Sequence, residues 1–180
     1  QAQVQPHFLF NALNALAYLI ETDPPAAARF SERLADMLRY TVEAGKRPAA
    51  LLSDEIAFVE DYLGVARERY ENPLEFRYTG DPALLSVAVP PLLLQPLIEN
   101  AIKHGVADRV EGGTLVLAAA VRSGRLIVEL ENPVDDEAPA RPGAGLGLDN
   151  VRRRLAVLGA RDASLQVARD AERFRVVLAL

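Results

Sequence analysis

Two histidines occur in the chain, His7 and His104, and each sits inside a dense polar cluster. His7 lies in Gln5-Pro6-His7-Phe8-Leu9-Phe10-Asn11. A neutral imidazole keeps a lone pair on one ring nitrogen, so a helix-borne histidine can act as a nucleophile. Asn11 follows four positions on and can share its face of a helix. The plain alternative is a surface histidine near a helix start. His104 closes a second cluster, Leu97-Ile98-Glu99-Asn100-Ala101-Ile102-Lys103-His104-Gly105. Leu94, Leu97, Ile98, Ala101 and Ile102 make an apolar stripe there, which leaves Glu99, Asn100 and Lys103 on the other face. A carboxylate, an amide and an ammonium gathered together suit Mg²⁺ and phosphate. The plain alternative is a solvated face with a Glu99–Lys103 ion pair at i,i+4 spacing. A third cluster, Gly143-Ala144-Gly145-Leu146-Gly147-Leu148-Asp149-Asn150, directly precedes a helical pattern. Glycines let backbone amides approach a phosphate, and a helix N-terminus favours the anion. The plain alternative is a flexible loop with a glycine hinge. No βαβ unit surrounds these glycines, which argues against dinucleotide binding.

Several elements must position these clusters. Leu9, Leu13, Leu16 and Ile20 recur at helical spacing, widened by Phe8, Ala12 and Leu19. Asp23-Pro24-Pro25 stops this helix and starts another, with Asp23 as N-cap, carrying Phe30, Leu34, Met37, Leu38 and Thr41 and ending at Gly45. Such a hairpin covers its apolar stripe poorly alone, so a second hairpin is expected to complete a four-helix dimer. Pro48 to Leu52 reads as a linker, and Ser53 as the cap of a third helix carrying Ile56, Val59, Leu63, Ala66 and Tyr70, ended by Asn72-Pro73. Strands are expected at Leu74–Tyr78, Leu115–Val121 and Leu126–Leu130, the last two joined by a Ser123-Gly124 turn. Pro90-Pro91 is expected to open a helix running to about Gly105. Residues 132–146 read as a loop. A helix with Leu148, Val151, Leu155 and Leu158 follows, then two strands near 164–168 and 173–180. The pattern predicts an α+β fold with a mixed or antiparallel sheet and helices on one face.

The bulk composition narrows the classes. The chain has 180 residues, half of them hydrophobic, with net charge −5 and no cysteine. Mixed charge argues against disorder, and no basic patch of the kind that accompanies direct nucleic-acid binding is visible. A disulfide framework and a thiolate zinc site are excluded, and a reducing compartment fits. No apolar run approaches the ~20 residues of a membrane-spanning helix. The opening Gln1-Ala2-Gln3-Val4 lacks a methionine, which reads as a fragment with room for membrane segments upstream.

Taken together, the clusters resemble the LytS/YehU-type sensor histidine kinases, including AlgZ-like members, within the GHKL-fold ATP-binding proteins. Gln5 to Leu13 resembles the phosphoacceptor box, Leu97 to Gly105 the N box, and Gly143 to Val151 the last glycine box, followed by Arg154-Leu155. Leu38-Arg39-Tyr40 and the Tyr62, Arg67, Arg69-Tyr70 stretch also match.

The resemblance implies a dimerising phosphotransfer hairpin over residues 1–50. It also implies a GHKL-type α/β sandwich over 51–180 that binds ATP. It implies autophosphorylation of His7 and transfer to the aspartate of a response regulator, whose kind often carries a LytTR-type DNA-binding domain. Asn100 would ligate Mg²⁺, and Lys103 and His104 would contact phosphate. Gly143, Gly145, Leu146, Gly147 and Leu148 would close over the nucleotide. The chain would be the cytoplasmic part of a bacterial inner-membrane-anchored kinase, reaching the membrane only through upstream segments. Two departures stand out. Phe8, not an acid, follows His7, as is usual in this subfamily. The orienting base must then come from Glu99, or from Glu32 or Asp36 on the neighbouring helix. Asn132 stands where the fold usually places an adenine-binding Asp, and Val134 and Asp136 replace the two glycines after it. Asn132 still offers a carbonyl acceptor. Two other readings compete. A non-kinase ATPase of the same fold would carry a catalytic Glu four residues before Asn100, where Pro96 stands. A degenerate kinase would serve as a dimeric scaffold or a response-regulator phosphatase.

Overall fold

The computed structural model describes residues 6–68, 73–106, 109–134, 148, 151–153, 155 and 163–180. Helices α1 (Pro6–Thr22) and α2 (Pro24–Ala44) form the expected hairpin. The Asp23 carboxylate accepts the Ala26 N–H at 3.0 Å, and Pro24 occupies the first turn, where its missing N–H costs nothing. α2 buries Phe30, Leu34 and Met37 and ends at Gly45 in right-handed conformation, without a left-handed cap.

Strand β1 (Ala50–Leu51) replaces the expected linker, because it pairs antiparallel with β3 (Ala88–Val89), a partner far along the chain. Helix α3 (Leu52–Arg67) begins two residues earlier than expected, with Leu51 and not Ser53 at its N-cap position. The Asp54 carboxylate takes the Leu51 N–H at 3.3 Å. Ile56, Val59, Leu63 and Ala66 are buried as expected, whereas Tyr70 and Asn72 lie outside the described residues. Strand β2 (Leu74–Tyr78) is followed by a 3₁₀ turn, Pro82–Ser86.

The helix expected from Pro90-Pro91 starts later, as α4 (Gln95–Ala101), and ends in a π turn over Ile102–Val106. Residues 91–94 are not helical, and Leu92 takes φ +55°. Helix begins where Pro96 falls in its first turn, which that ring favours.

Strands β4 (Gly113–Arg122), β5 (Arg125–Pro133), β6 (Ser164–Arg169) and β7 (Arg173–Ala179) complete a five-stranded sheet in the order β2-β4-β5-β7-β6. β2 and β4 run parallel, and the other neighbours are antiparallel. Ser123 (φ +51°) and Gly124 (φ +75°) make the tight β4–β5 turn, the backbone a two-residue hairpin needs. Asn132 and Pro133, expected in a loop, belong to β5 and pair with Phe174 and Arg173. Alternation along the strands puts Leu115, Leu117, Val128, Leu130, Val176 and Leu178 on the inner face, in one core with Val59, Leu63, Leu97 and Ile98 of the helices. The outer face carries an ion-pair ladder: Arg175 bridges Glu129 and Glu131 at 3.1 and 2.8 Å, and Arg173 reaches Glu131 at 2.8 Å. The architecture is thus α+β, a mixed and mainly antiparallel sheet with helices packed on one face. Among the described residues no helix is long and apolar enough to cross a membrane.

Candidate functional site

The N-box helix and the end of β5 meet around a cavity of about 320 Å³. α4 and its π turn contribute Asn100 and His104. β5 and the residue after it contribute Asn132 and Val134, and helical Leu148 and Arg152 close one side. Val167 and Arg169 of β6 and Phe174 of β7 complete the lining. Apolar walls beside amides, an imidazole and two guanidinium groups suit a flat heterocycle carrying an anionic tail.

Asn132 is the most constrained polar group there. It is 2% exposed, and its Nδ2 donates to the Pro133 carbonyl at 2.9 Å, which fixes the orientation of the amide. Its Oδ1 is buried without a hydrogen-bond partner. Such an orphaned acceptor costs about 1–3 kcal/mol until a donor arrives. An exocyclic amino group is such a donor. The Pro133 carbonyl also explains why an amide suits this position: a carboxylate would face that oxygen with no hydrogen to offer. Gly105 makes the fit possible, because a Cβ there would stand 2.1 Å from Asn132 Nδ2 and 2.8 Å from the Pro133 oxygen.

Asn100 is buried and shares the cavity with His104, one helical turn on. Lys103 is exposed on the same helix end. Glu99 accepts a 2.9 Å hydrogen bond from Gln95 Nε2. The three polar residues read as one face from the sequence therefore divide. Asn100 turns into the cavity, while Lys103 points outward, because the π turn alters the angular spacing after Ala101. No cluster of three or more His, Cys, Asp or Glu suited to a metal occurs among the described residues. One side-chain oxygen is nonetheless enough for Mg²⁺ when substrate phosphates and water supply the rest.

A second, wider cavity of about 530 Å³ shares Asn132 and Val134 but opens on the outer sheet face. Glu131 and Arg173 line it and are already committed to one another. Asn132 lines both cavities, but the narrower one also gathers Asn100 and His104 and the apolar Leu148 and Phe174, which makes it the better candidate.

His7 lies in the first turn of α1, just after Pro6. Phe8 stacks on Tyr62 of α3, ring centroids 4.5 Å apart and 12° from parallel, so this end of the hairpin rests on the α/β part. Asn11 lines a small crevice there with Tyr62 and Ile102. Asp36 pairs with Arg39 at 2.8 Å on the surface of α2. Leu148 is buried at the cavity, whereas Gly143, Gly145, Leu146 and Gly147 lie outside the described residues. Sequence reasoning missed Arg152, on the helix that carries Leu148, and also Arg169 and Phe174, which the β6–β7 pairing brings to the cavity. It also missed Glu55, fully buried on α3. The one sequence signal for Glu55 was an acid beside Ile56 on an apolar helix face.

Comparison with known proteins shows the family and the fold. The family model described as "Histidine kinase" matches residues 1–74. The chain is 32% identical to the sensor histidine kinase BtsS of Escherichia coli strain K12, over 99% of this chain and 32% of that protein. It is 30% identical to the sensor protein LytS of Staphylococcus saprophyticus, over 94% of this chain and 31% of that protein. The chain thus spans about a third of the length of these relatives. The histidine kinase domain of the Erythrobacter litoralis EL346 blue-light activated kinase shares the fold at TM-score 0.53 and 17% identity, covering 97% of this chain and 92% of that one. The Acinetobacter baumannii histidine kinase AdeS does so at TM-score 0.56 and 14% identity, covering 96% and 94%. With its phosphoacceptor-type box on a helical hairpin and its N box at a cavity of the same fold, the chain belongs to the LytS/BtsS family of sensor histidine kinases, which are protein histidine kinases.

Proposed function

We propose that this chain is the kinase core of a two-component sensor: it phosphorylates its own His7 from ATP and passes the phosphoryl group to a response-regulator aspartate. The observation that carries the nucleotide half is the buried, unpartnered Oδ1 of Asn132 in a cavity shared with Asn100 and His104. The adenine amino group donates to that oxygen, and Val134, Leu148 and Phe174 flank the ring. Asn100 would hold Mg²⁺ through its side-chain oxygen, and Lys103 and His104 would meet the phosphates. Gly143, Gly145, Leu146 and Gly147, outside the described residues, are assigned to the nucleotide by the family resemblance alone. Magnesium-bound ATP supplies the γ-phosphoryl group and much of the charge neutralisation. His7, neutral, attacks the γ-phosphorus with an imidazole lone pair while the bond to the β,γ-bridging oxygen breaks and ADP leaves. Glu99 is our candidate for orienting the imidazole or taking its proton, with Glu32 and Asp36 as rivals. Positioning and charge account for most of such catalysis.

The division into a hairpin, 1–50, and a catalytic domain, 51–180, follows from this assignment. The hairpin serves as half of a dimeric bundle. Phe10, Leu13 and Ile20 stand exposed on one side of α1, at 68, 48 and 59%, and a second copy of the hairpin covers them. The regulator's own output domain, of LytTR type or another, lies with that partner.

The test is incubation with Mg²⁺ and γ-labelled ATP beside a His7→Ala variant. Acid-labile, base-stable label on the wild type alone is expected. A wild type that binds no nucleotide by direct titration sinks the kinase assignment and favours a dimeric scaffold.

A further inference from the structure

Glu55 takes no part in the mechanism above, yet it is the most deeply buried acid among the described residues, with no exposed surface. Its neighbours span the molecule. Oε1 accepts the Tyr40 hydroxyl of α2 at 2.6 Å and the Leu92 N–H at 2.5 Å, and Oε2 accepts the Leu94 N–H at 2.9 Å. All three partners donate, which suits a carboxylate, an acceptor only. Burial nonetheless pushes the Glu55 carboxyl above its ordinary range, opposed by these same hydrogen bonds. A buried acid is kept at such a place only if its partners are held firmly.

The two backbone donors belong to the segment that aims the N-box helix. Leu92 is a non-glycine residue at φ +55°, a conformation that persists only when its surroundings impose it. Leu94 directly precedes α4, and its carbonyl accepts the N–H groups of Leu97 and Ile98, both at 3.0 Å. Asn100 lies on that helix, two residues past Ile98. The third donor comes from the hairpin. Beyond Tyr40 an aromatic path continues: Tyr40 to Phe58 at 5.4 Å, Phe58 to Tyr62 at 6.3 Å, and Tyr62 to Phe8 at 4.5 Å. Phe8 is the residue after His7. One carboxylate therefore touches the segment that sets Asn100 and a side chain whose packing leads back to the phosphoacceptor turn.

We propose that Glu55 is a positioning residue that joins hairpin and nucleotide site, holding the N-box helix through Leu92 and Leu94 and reading the pose of α2 through the Tyr40 hydroxyl. This rests on the kinase reading, in which Asn100 and His7 must meet one substrate. Coupling of this kind is reciprocal: if the hairpin biases the N box, nucleotide at the N box must bias the hairpin.

The test compares the wild-type protein with Tyr40→Phe, which removes one oxygen, and Glu55→Gln. Three quantities are read: affinity for the magnesium complex of a non-hydrolysable ATP analogue, autophosphorylation at saturating ATP, and hydrogen exchange of the α2 amides from 37 to 44 with and without analogue. In the wild type, the analogue is expected to slow exchange in α2. Tyr40→Phe is expected to bind the analogue within about twofold of wild type, to lose that slowing, and to phosphorylate about tenfold more slowly at unchanged KM. Glu55→Gln is expected to bind about tenfold more weakly, because its amide nitrogen presents a donor to the Leu94 N–H. Should the glutamine variant not fold, Tyr40→Phe alone decides. Wild-type binding without any effect on α2, or Tyr40→Phe with wild-type turnover, overturns the inference and leaves the kinase reading standing. A wild type that binds no analogue overturns both.

Discussion

Replacing Asn132 with alanine separates affinity from stability, two effects that usually travel together. In the free protein the substitution removes the Nδ2–Pro133 hydrogen bond, worth about 0.5–1.5 kcal/mol, and also an unsatisfied buried carbonyl costing about 1–3 kcal/mol. The two nearly cancel. We expect stability to change by no more than about 1 kcal/mol, against the ~2–5 kcal/mol typical of large-to-small changes in an apolar core. Nucleotide binding has no such compensation. On the proposed reading the adenine amino group loses its acceptor, about 1–3 kcal/mol, or roughly 5- to 150-fold in Kd. Urea unfolding and calorimetric titration with a non-hydrolysable analogue measure the two quantities on one preparation. Asn132→Asp is the companion. It keeps an acceptor for the ligand but sets a carboxylate against the Pro133 oxygen, so it should bind nucleotide near the wild-type level while unfolding more easily. An alanine variant destabilised by more than about 3 kcal/mol, yet binding as wild type, would refute the assignment of Oδ1 to adenine.

Other perturbations probe the supports of the site. Gly105→Ala places a Cβ 2.8 Å from the Pro133 carbonyl, which is backbone and cannot swing away. A loss of about 1–3 kcal/mol in urea unfolding is expected, with weaker nucleotide binding. Asp61, on α3, has its carboxyl pushed up first by burial and then by Asp36, with Arg33 opposing. A raised folded pKa gives a contribution that is whole below the unfolded pKa and lost as pH rises through the folded one. Asp61→Asn should therefore unfold at higher urea than wild type at pH 7 and show a shallower fall of stability between acid and neutral pH; an unchanged pH slope would contradict this. Phe10→Glu with Ile20→Glu should shift the protein from dimer to monomer in sedimentation. Each lost apolar side chain is worth about 1.5–3 kcal/mol and is counted in both copies, about 6 kcal/mol at the least, so the dimer Kd should rise on the order of 10⁴-fold or more.

What could be read from the amino-acid order was what depends on near neighbours. The hairpin followed from period and from the Asp23-Pro24 pair, because cap and helix start lie within one turn. The β4–β5 hairpin followed from Ser123-Gly124, because only a turn of positive φ joins strands so closely. The chemistry-bearing boxes were legible as residue types, and the family with them. The arrangement around them was decided by contacts between distant segments. Ala50–Leu51 is a strand only because Ala88–Val89 lies beside it. The entry to α4 departs from a helix because Glu55, some forty residues earlier, captures its amides. Asn132 opens a stretch, 132–146, that reads as loop from its Pro, Gly, Asp and Ala content and its lack of an apolar period. It is instead a buried strand residue, since β7 pairs with it and Gly105 leaves room for its amide. Local order thus determined which elements and which reactive groups this protein has. Only the tertiary structure decided which of those groups share a cavity, because burial and hydrogen-bond pairing are properties of segments brought together, not of any one segment.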